Sequence, residues 1–446
     1  MPPKPLEGIR IIDLTQIYAG PYCSMLFADL GAEVIKVEPP QGELIRDNPP
    51  LVEKGKGGPQ ARSRSGYFLT LNRNKYGITL NLKHPRALAI FKELIKIGDI
   101  VLENYAPGVM KRLGIDYPVL KEVNPRIIMC SISGFGQTGP YSGRMSFDII
   151  AQAMSGMMSV TGHPDSPPTK VGTSLGDVSA SLHGAFAIMA ALWHREKTGE
   201  GQYIDVSMQE CMVSILEGGI PRWTVGKELL TPIGSMNPHE CPMAAFRCKD
   251  GYIIIATVGD EHWERFCRAV NRPDWAADPA YRTKRQRWEK KYFLQEEIEK
   301  ITTQYTVKEV GEMMDRERVA NSPIMNIQEV VEDPHLKERG YFVEVEHPVI
   351  GKAKIPGIPF HCSKTPGSVE RPSPLVGEHN EFILGKYLKI DKEELKKLMQ
   401  EGAILSFGMW NSECALNHGE FRAAMHPTWC MAEWGVRKVK EVKRIT

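Results

Sequence analysis

Between residues 9 and 133, short β-branched runs alternate with helix-forming stretches, a pattern that a mostly parallel sheet covered by helices accommodates best. Residues 9–14 and 32–37 are expected as strands around a helix over 21–30, and residues 77–82, 99–103 and 126–133 as further strands. A helix over 85–97 opens with Pro85 in its first turn. The helix over 182–195 is apolar for several turns and closes on His194, Arg195, Glu196 and Lys197 before Gly199. The fold class is therefore α/β, of the doubly wound kind.

At 446 residues the chain exceeds what one core usually serves, so two domains of unequal size are expected. The texture changes near residue 218, through a Pro- and Gly-containing stretch into a β-branched strand over 251–258. We place residues 1–217 in a large first domain and 218–330 in a smaller α+β one. Residues 342–358, with Pro348, Gly351, Pro356 and Gly357, are expected as an extended connector. The tail, 406–446, carries Trp410, Trp429, Trp434 and a basic end and reads as a C-terminal extension.

The net charge is +2, so no broad field favours nucleic acid or a membrane surface, although a local basic site for phosphates remains open. The nine cysteines show no repeating C-x-x-C spacing and no signal-like apolar run opens the chain, which points to reduced thiols and a cytoplasmic protein. No stretch reads as a membrane span. His239, Cys241 and Cys248 lack zinc-ligand spacing, so no metal and no permanently bound cofactor is expected.

Two glycine patterns are weighed and set aside. Gly134-Phe135-Gly136-Gln137-Thr138-Gly139 follows a strand as a dinucleotide fingerprint would, but Pro140 comes directly after it and no helix start is evident for a pyrophosphate. Gly172-Thr173-Ser174-Leu175-Gly176 matches a hydrolase elbow, yet Pro167 and Pro168 leave barely three residues for the strand that should deliver Ser174. Asp177, just before the long helix, has two readings. It is an N-cap, or it is a nucleophilic carboxylate kept ionised and oriented by backbone N–H groups at a positive helix end.

Five blocks in order carry a resemblance. They are Leu14-Thr15-Gln16-Ile17-Tyr18-Ala19-Gly20-Pro21; Gly31-Ala32-Glu33-Val34-Ile35-Lys36-Val37-Glu38; Leu71-Asn72-Arg73-Asn74-Lys75; Glu103-Asn104-Tyr105-Ala106-Pro107-Gly108; and Ser133-Gly134-Phe135-Gly136-Gln137-Thr138-Gly139-Pro140. Over residues 6–405 the chain resembles the family III CoA-transferases, which include formyl-CoA, carnitine and benzylsuccinate CoA-transferases.

The resemblance implies a Rossmann-like large domain built from both chain ends, with residues 331–405 returning to it, and an interlocked dimer of identical or paralogous subunits. It implies substrates that are an acyl-CoA, succinyl-CoA for example, and a carboxylic acid, with Asp177 passing through an aspartyl-CoA thioester. CoA contacts carry over to Gln16, Ile17, Leu71, Asn72, Asn74, Lys75, Asn104, Tyr105 and Arg112, with Phe147 and Asp148 beside them. Pro39 stands where some members have an arginine, so one phosphate contact is missing or comes from elsewhere. Gly234-Ser235-Met236-Asn237-Pro238 occupies the region of a glycine-rich lid without copying it.

Related α-methylacyl-CoA racemases have a histidine where Phe147 stands, and its loss removes a proton-transfer base. A racemase and a non-catalytic subunit of a heteromeric transferase are the alternatives. Met154, Met157, Met158, Met212, Met236 and Met243 suggest an adaptable apolar site for a bulky acid such as an aryl-substituted succinate, against the plainer reading of core filling.

Overall fold

The computed structural model describes residues 4–52 and 63–405; the expected extension over 406–446 lies outside the described residues. Six strands form a single parallel sheet: β1 (Arg10–Asp13), β2 (Glu33–Glu38), β3 (Tyr76–Thr79), β4 (Ile100–Glu103), β5 (Ile128–Ser133) and β6 (Tyr203–Ser207). Their order is β3-β2-β1-β4-β5-β6, with Ile12 opposite Ile35 and Ile11 opposite Ile100. The order reverses direction between β1 and β4, and the crevice outside the carboxyl ends at such a switch point is where ligands of doubly wound sheets bind.

Both faces of the sheet are covered, which explains why the middle positions of its strands are largely apolar, with charged residues mostly at the strand ends. Side chains alternate along each strand, so Ile11 and Ile12 enter different cores. Ile11, Val34, Ile100 and Cys130 pack with Phe27 of the helix Ala19–Asp29 and with Ile188 and Ala191 of the helix Leu175–Thr198. Ile12, Ile35, Ile78 and Val101 pack with Phe91 and Leu94 of the helix Pro85–Ile97. Ile383, Leu384 and Leu398, from far along the chain, complete that second core.

The helix Leu175–Thr198 stops at Gly199, whose φ of +80° suits glycine and whose N–H donates to the Arg195 carbonyl at 2.8 Å. It is long and apolar enough to cross a membrane, but one side is buried on the sheet through Gly184, Ile188 and Ala191. Its other side carries Leu182, Phe186, Met189 and Trp193, spaced four, three and four residues apart and all exposed, Phe186 at 77%.

A second, antiparallel sheet joins β7 (Met243–Arg247), β8 (Tyr252–Ala256) and β9 (Ala320–Pro323). Its separate core centres on Trp263, stacked on Trp275 at 6.1 Å. Buried Arg287 ties this unit together by donating to the Cys241 and Tyr281 carbonyls and to Asp260.

Residues 342–358 are not an extended connector. They form an antiparallel hairpin, β10 (Phe342–His347) and β11 (Gly351–Pro356), because Val345 and Ile355 alternate onto a small apolar cluster with Leu69. Beyond it the chain returns to the six-stranded sheet. Asn74 Oδ1 accepts from the Glu370 and Arg371 amides, Asn380 Oδ1 accepts from Thr79, and the Leu405 amide donates to Thr79 Oγ1.

Candidate active site

The turn after β1 lies at the switch point. The Gln16 amide donates to Asn104 Oδ1 and Asn104 Nδ2 donates to the Gln16 carbonyl, both at 2.8 Å, so the loops after β1 and β4 are clasped across the crevice. Ile17 has a φ of +67°, a strained geometry for a β-branched residue. Its amide is held by Glu43 Oε2 at 2.8 Å. Gly20 is obligatory here, since a Cβ would fall 2.2 Å from Thr15 Cγ2.

Beneath this turn lies a buried charge network. Asp13 receives Thr15 and Ser24 hydroxyls and the Lys75 ammonium at 3.1 Å. Lys36 pairs with Glu43 at 2.9 Å and donates to the Thr15 carbonyl, while Arg46 pairs with Glu38 at 2.6 Å. Burial opposes ionisation of Asp13, but Lys75 and Lys36 hold its carboxyl below the usual range. Burial pulls the Lys75 ammonium down to about 8.

On the same edge of the sheet begins the helix Leu175–Thr198, placed by Ser181 Oγ, which reaches the Ala19 carbonyl at 2.5 Å. Ser174 is the N-cap position, but its hydroxyl engages Tyr67 and does not cap. No strand delivers Ser174, in keeping with the rejection of the hydrolase elbow. Asp177 sits in the first turn, partly buried. Burial first, and the Asp148 charge second, raise its carboxyl to about 7, against a weaker opposing effect of Lys170. Tyr18 and Tyr67, whose rings lie 5.6 Å apart, also face this carboxylate.

A partly buried carboxyl poised near neutrality at the carboxyl edge of a doubly wound sheet, beside a pre-organised ligand crevice, suits covalent acyl chemistry. A family model described as CoA-transferase family III matches residues 6–380. The chain belongs to CoA-transferase family III.

This transferase is 39% identical over 384 residues to the succinyl-CoA:mesaconate CoA-transferase of Haloarcula marismortui, a match covering 85% of this chain and 95% of that one. It is 36% identical over 407 residues to the succinyl-CoA:glutarate CoA-transferase of Mus musculus, covering 90% of each. The crystal structure of a CAIB/BAIF family protein from Brucella suis superposes with a TM-score of 0.77 at 30% identity, over 86% of this chain and 99% of that one. As a member of this family the enzyme transfers CoA between an acyl-CoA and a carboxylic acid.

The sequence-derived site residues fall into two groups. Gln16, Ile17 and Asn104 belong to the loops that follow β1 and β4, and Arg112 ends the short helix Val109–Arg112 after β4. The Gln16 side chain and exposed Arg112 form no hydrogen bond or ion pair among the described residues, leaving both available to a ligand.

The other group lies below the surface. Leu71, Asn72, Asn74 and Lys75 are all buried with side chains turned inward. Leu71 packs on Ile45 and Phe68, Asn72 and Lys75 bond each other at 2.9 Å, and Asn74 binds Asp29 and the returning chain. Lys75 is a buried counter-ion of Asp13, and its ammonium also donates to Asn72 and to the Pro21 carbonyl. Tyr105 likewise packs its ring against the core, and its amide donates to Glu103.

Asp148 is turned inward as well. It is buried, and its Oδ1 accepts the Gly176 amide at 2.8 Å, one residue before Asp177. Its neighbour Phe147 is exposed. Asp177 lies inside the first turn, so the N-cap reading falls away, and burial with the Asp148 charge raises its carboxyl where a positive helix end was expected to keep it ionised.

Three of the six methionines are placed apart from any single acid-binding pocket. Met236 and Met243 line a small cavity with Cys241, Phe246 and Trp288, whereas Met212 is fully buried in the helix Met208–Ser214. Sequence reasoning passed over Tyr18, Tyr67, Glu43, Gln152 and Lys170. Tyr18 lay inside a quoted block, but the others are assembled by contacts between distant segments.

Proposed function

We propose that this enzyme moves CoA from succinyl-CoA to a short dicarboxylic acid through covalent states of Asp177. The observation that carries the proposal is the Asp177 carboxyl itself, partly buried and raised to about 7. Such a carboxylate is more basic than a solvated one, and hence a better nucleophile once ionised.

In the proposed sequence the Asp177 carboxylate attacks the donor thioester carbonyl. A C–O bond forms, the C–S bond breaks, and CoA leaves as thiolate to give a mixed anhydride. The thiolate then attacks the Asp177 carbonyl carbon, releasing succinate and forming an aspartyl-CoA thioester. The acceptor carboxylate attacks that thioester, CoA leaves again, and its return to the acceptor carbonyl yields the new acyl-CoA and free Asp177. No net proton is consumed.

The relatives named for succinyl-CoA with mesaconate or glutarate support the donor and the dicarboxylate class. A bulkier aryl-substituted succinate such as benzylsuccinate has less support, because three of the six methionines are placed apart from any single acid-binding pocket. A racemase is disfavoured because Phe147 brings no proton-transfer atom. A non-catalytic subunit is disfavoured by the poised Asp177. We further propose that a second copy of the chain covers the exposed Leu182, Phe186, Met189 and Trp193 stripe, as the family resemblance implies. A native mass spectrum dominated by monomer at micromolar concentration would overturn that.

The test of function is incubation with succinyl-CoA and separate mesaconate, glutarate, malate, benzylsuccinate and oxalate samples, with mass spectrometry of the CoA esters. New dicarboxyl-CoA esters are expected, and hydroxylamine should leave a hydroxamate on Asp177. Asp177→Ala should lose at least about 10³-fold in turnover while still binding CoA. A hydroxamate on Ser174, or a substantially active Ala variant, would refute the mechanism.

A further inference from the structure

The segment that presents Asp177 is held at several points by side chains with no assigned role in transfer. Gln152 is fully buried; its Oε1 accepts the Val171 amide at 3.0 Å, and its Nε2 donates to the Thr173 carbonyl at 3.2 Å. The same Nε2 donates to both Asp148 oxygens, at 3.1 and 2.9 Å. Asp148 in turn accepts the Gly176 amide. Gly176 permits this closeness, because a Cβ there would lie 3.1 Å from Asp148 Oδ1 and 3.3 Å from the Ala151 Cβ.

The Gly176 hydrogen bond alone does not require a carboxylate at position 148. The hydrogen bonds to this side chain among the described residues are donated by uncharged N–H groups, and an asparagine Oδ1 could keep the one from Gly176 and one from Gln152, losing only the Gln152 bond to the second oxygen. The carboxylate adds a negative charge next to a second carboxylate, with one ammonium for compensation. That ammonium, Lys170 Nζ, stands 3.7 Å from Asp148, is about one-third exposed (34%), and also donates to the Val171 and Thr173 carbonyls. The groups facing Asp177 are thus Asp148 from the helix Asp148–Met154, Lys170 from the preceding segment, Tyr18 from the β1 turn and Tyr67 from the helix Gly66–Asn72.

We propose that Asp148 is a positioning residue whose negative charge, beyond its hydrogen bond to Gly176, destabilises the free Asp177 carboxylate relative to its uncharged acylated forms. The inference rests on Asp177 being the acyl carrier. When Asp177 attacks the thioester, its charge leaves with the CoA thiolate and the repulsion from Asp148 is relieved. Asp148 forms and breaks no covalent bond. Lys170 acts in the opposite sense, stabilising the free carboxylate.

The test measures hydroxylamine-trapped Asp177 against pH in single-turnover reactions with succinyl-CoA, for wild type, Asp148→Asn and Lys170→Met. Asparagine keeps an oxygen acceptor for Gly176 but removes the charge. Its acid limb should move down by about one pH unit, and the trapped fraction at pH 8 should fall several-fold. Lys170→Met should move the limb upward, and Asp148→Ser, which also removes the charge, takes the place of Asp148→Asn if that variant does not fold. A purely structural Asp148 would lower the rate at every pH without moving the limb, and an unmoved or oppositely moved limb in a folded variant overturns the inference. Absence of any Asp177 adduct in wild type would instead sink the acyl-carrier reading on which it depends.

Discussion

Two charged regions lie on the same edge of the sheet and differ in how their charge is compensated. Under the β1 turn, the carboxylates of Asp13, Glu38 and Glu43 are matched by Lys36, Arg46 and Lys75, all with essentially no exposed side chain. Around Asp177, two carboxylates share one partly exposed lysine among the described residues. The first arrangement fixes geometry: matched, dry ion pairs hold the strained Ile17 turn in place. The second leaves a carboxyl near its titration point, which suits the covalent role proposed for it. Framework charge and reactive charge are thus told apart by their compensation more than by their burial.

Breaking the first region should have the larger effect on stability. Lys75→Met leaves Asp13 without its closest ammonium and should cost about 3–5 kcal/mol in denaturant unfolding. The corresponding change in the second region, Lys170→Met, should cost under about 0.5 kcal/mol, because that lysine is partly solvated. Equal costs would erase the distinction.

Asp177→Asn sharpens the contrast in the other direction. The folded protein raises the Asp177 pKa above its unfolded value, so the native state keeps a proton that the unfolded chain has lost, and stability falls as pH rises from about 4 toward 7. Asparagine, uncharged at every pH, removes this penalty. The variant should match wild type near pH 4 and exceed it by about 1–3 kcal/mol at pH 8. Thermal unfolding at the two pH values checks this, and a variant less stable than wild type at pH 8 would contradict it. The wild-type acylation rate should correspondingly rise with pH through about 7.

The smallest effect is expected at Arg112, which is exposed and has no partner among the described residues. Arg112→Ala should leave stability unchanged and raise the KM for succinyl-CoA by about tenfold at low salt, with a smaller ratio at high salt. An unchanged KM would remove Arg112 from the phosphate site.

The strands and the helix Pro85–Ile97 were legible because their signals are local: β-branched runs between breakers, and a proline at a first turn. The hairpin over β10 and β11 was misread because Pro348, Gly351 and Pro356 mark the turn and the end of a strand as readily as a linker. At the site, the motif blocks marked the β1 turn and the family resemblance marked Asp177, but neither gave the direction of the side chains. Lys75 and Asn74 look in sequence like surface polar residues; they are buried because Asp13 and the returning residues 368–371 come from far away to meet them.

Pattern and spacing along the chain thus suffice for the α/β class, the family blocks and the candidate nucleophile, since each depends on near neighbours. The 3-2-1-4-5-6 strand order, the partnering of each charge and the near-neutral state of Asp177 depend on the three-dimensional packing. A carboxylate's ionisation depends on the dielectric and the charges within a few ångströms, and for Asp177 these are its burial and the charges of residues 148 and 170, brought together only by the folded sheet and its covering helices.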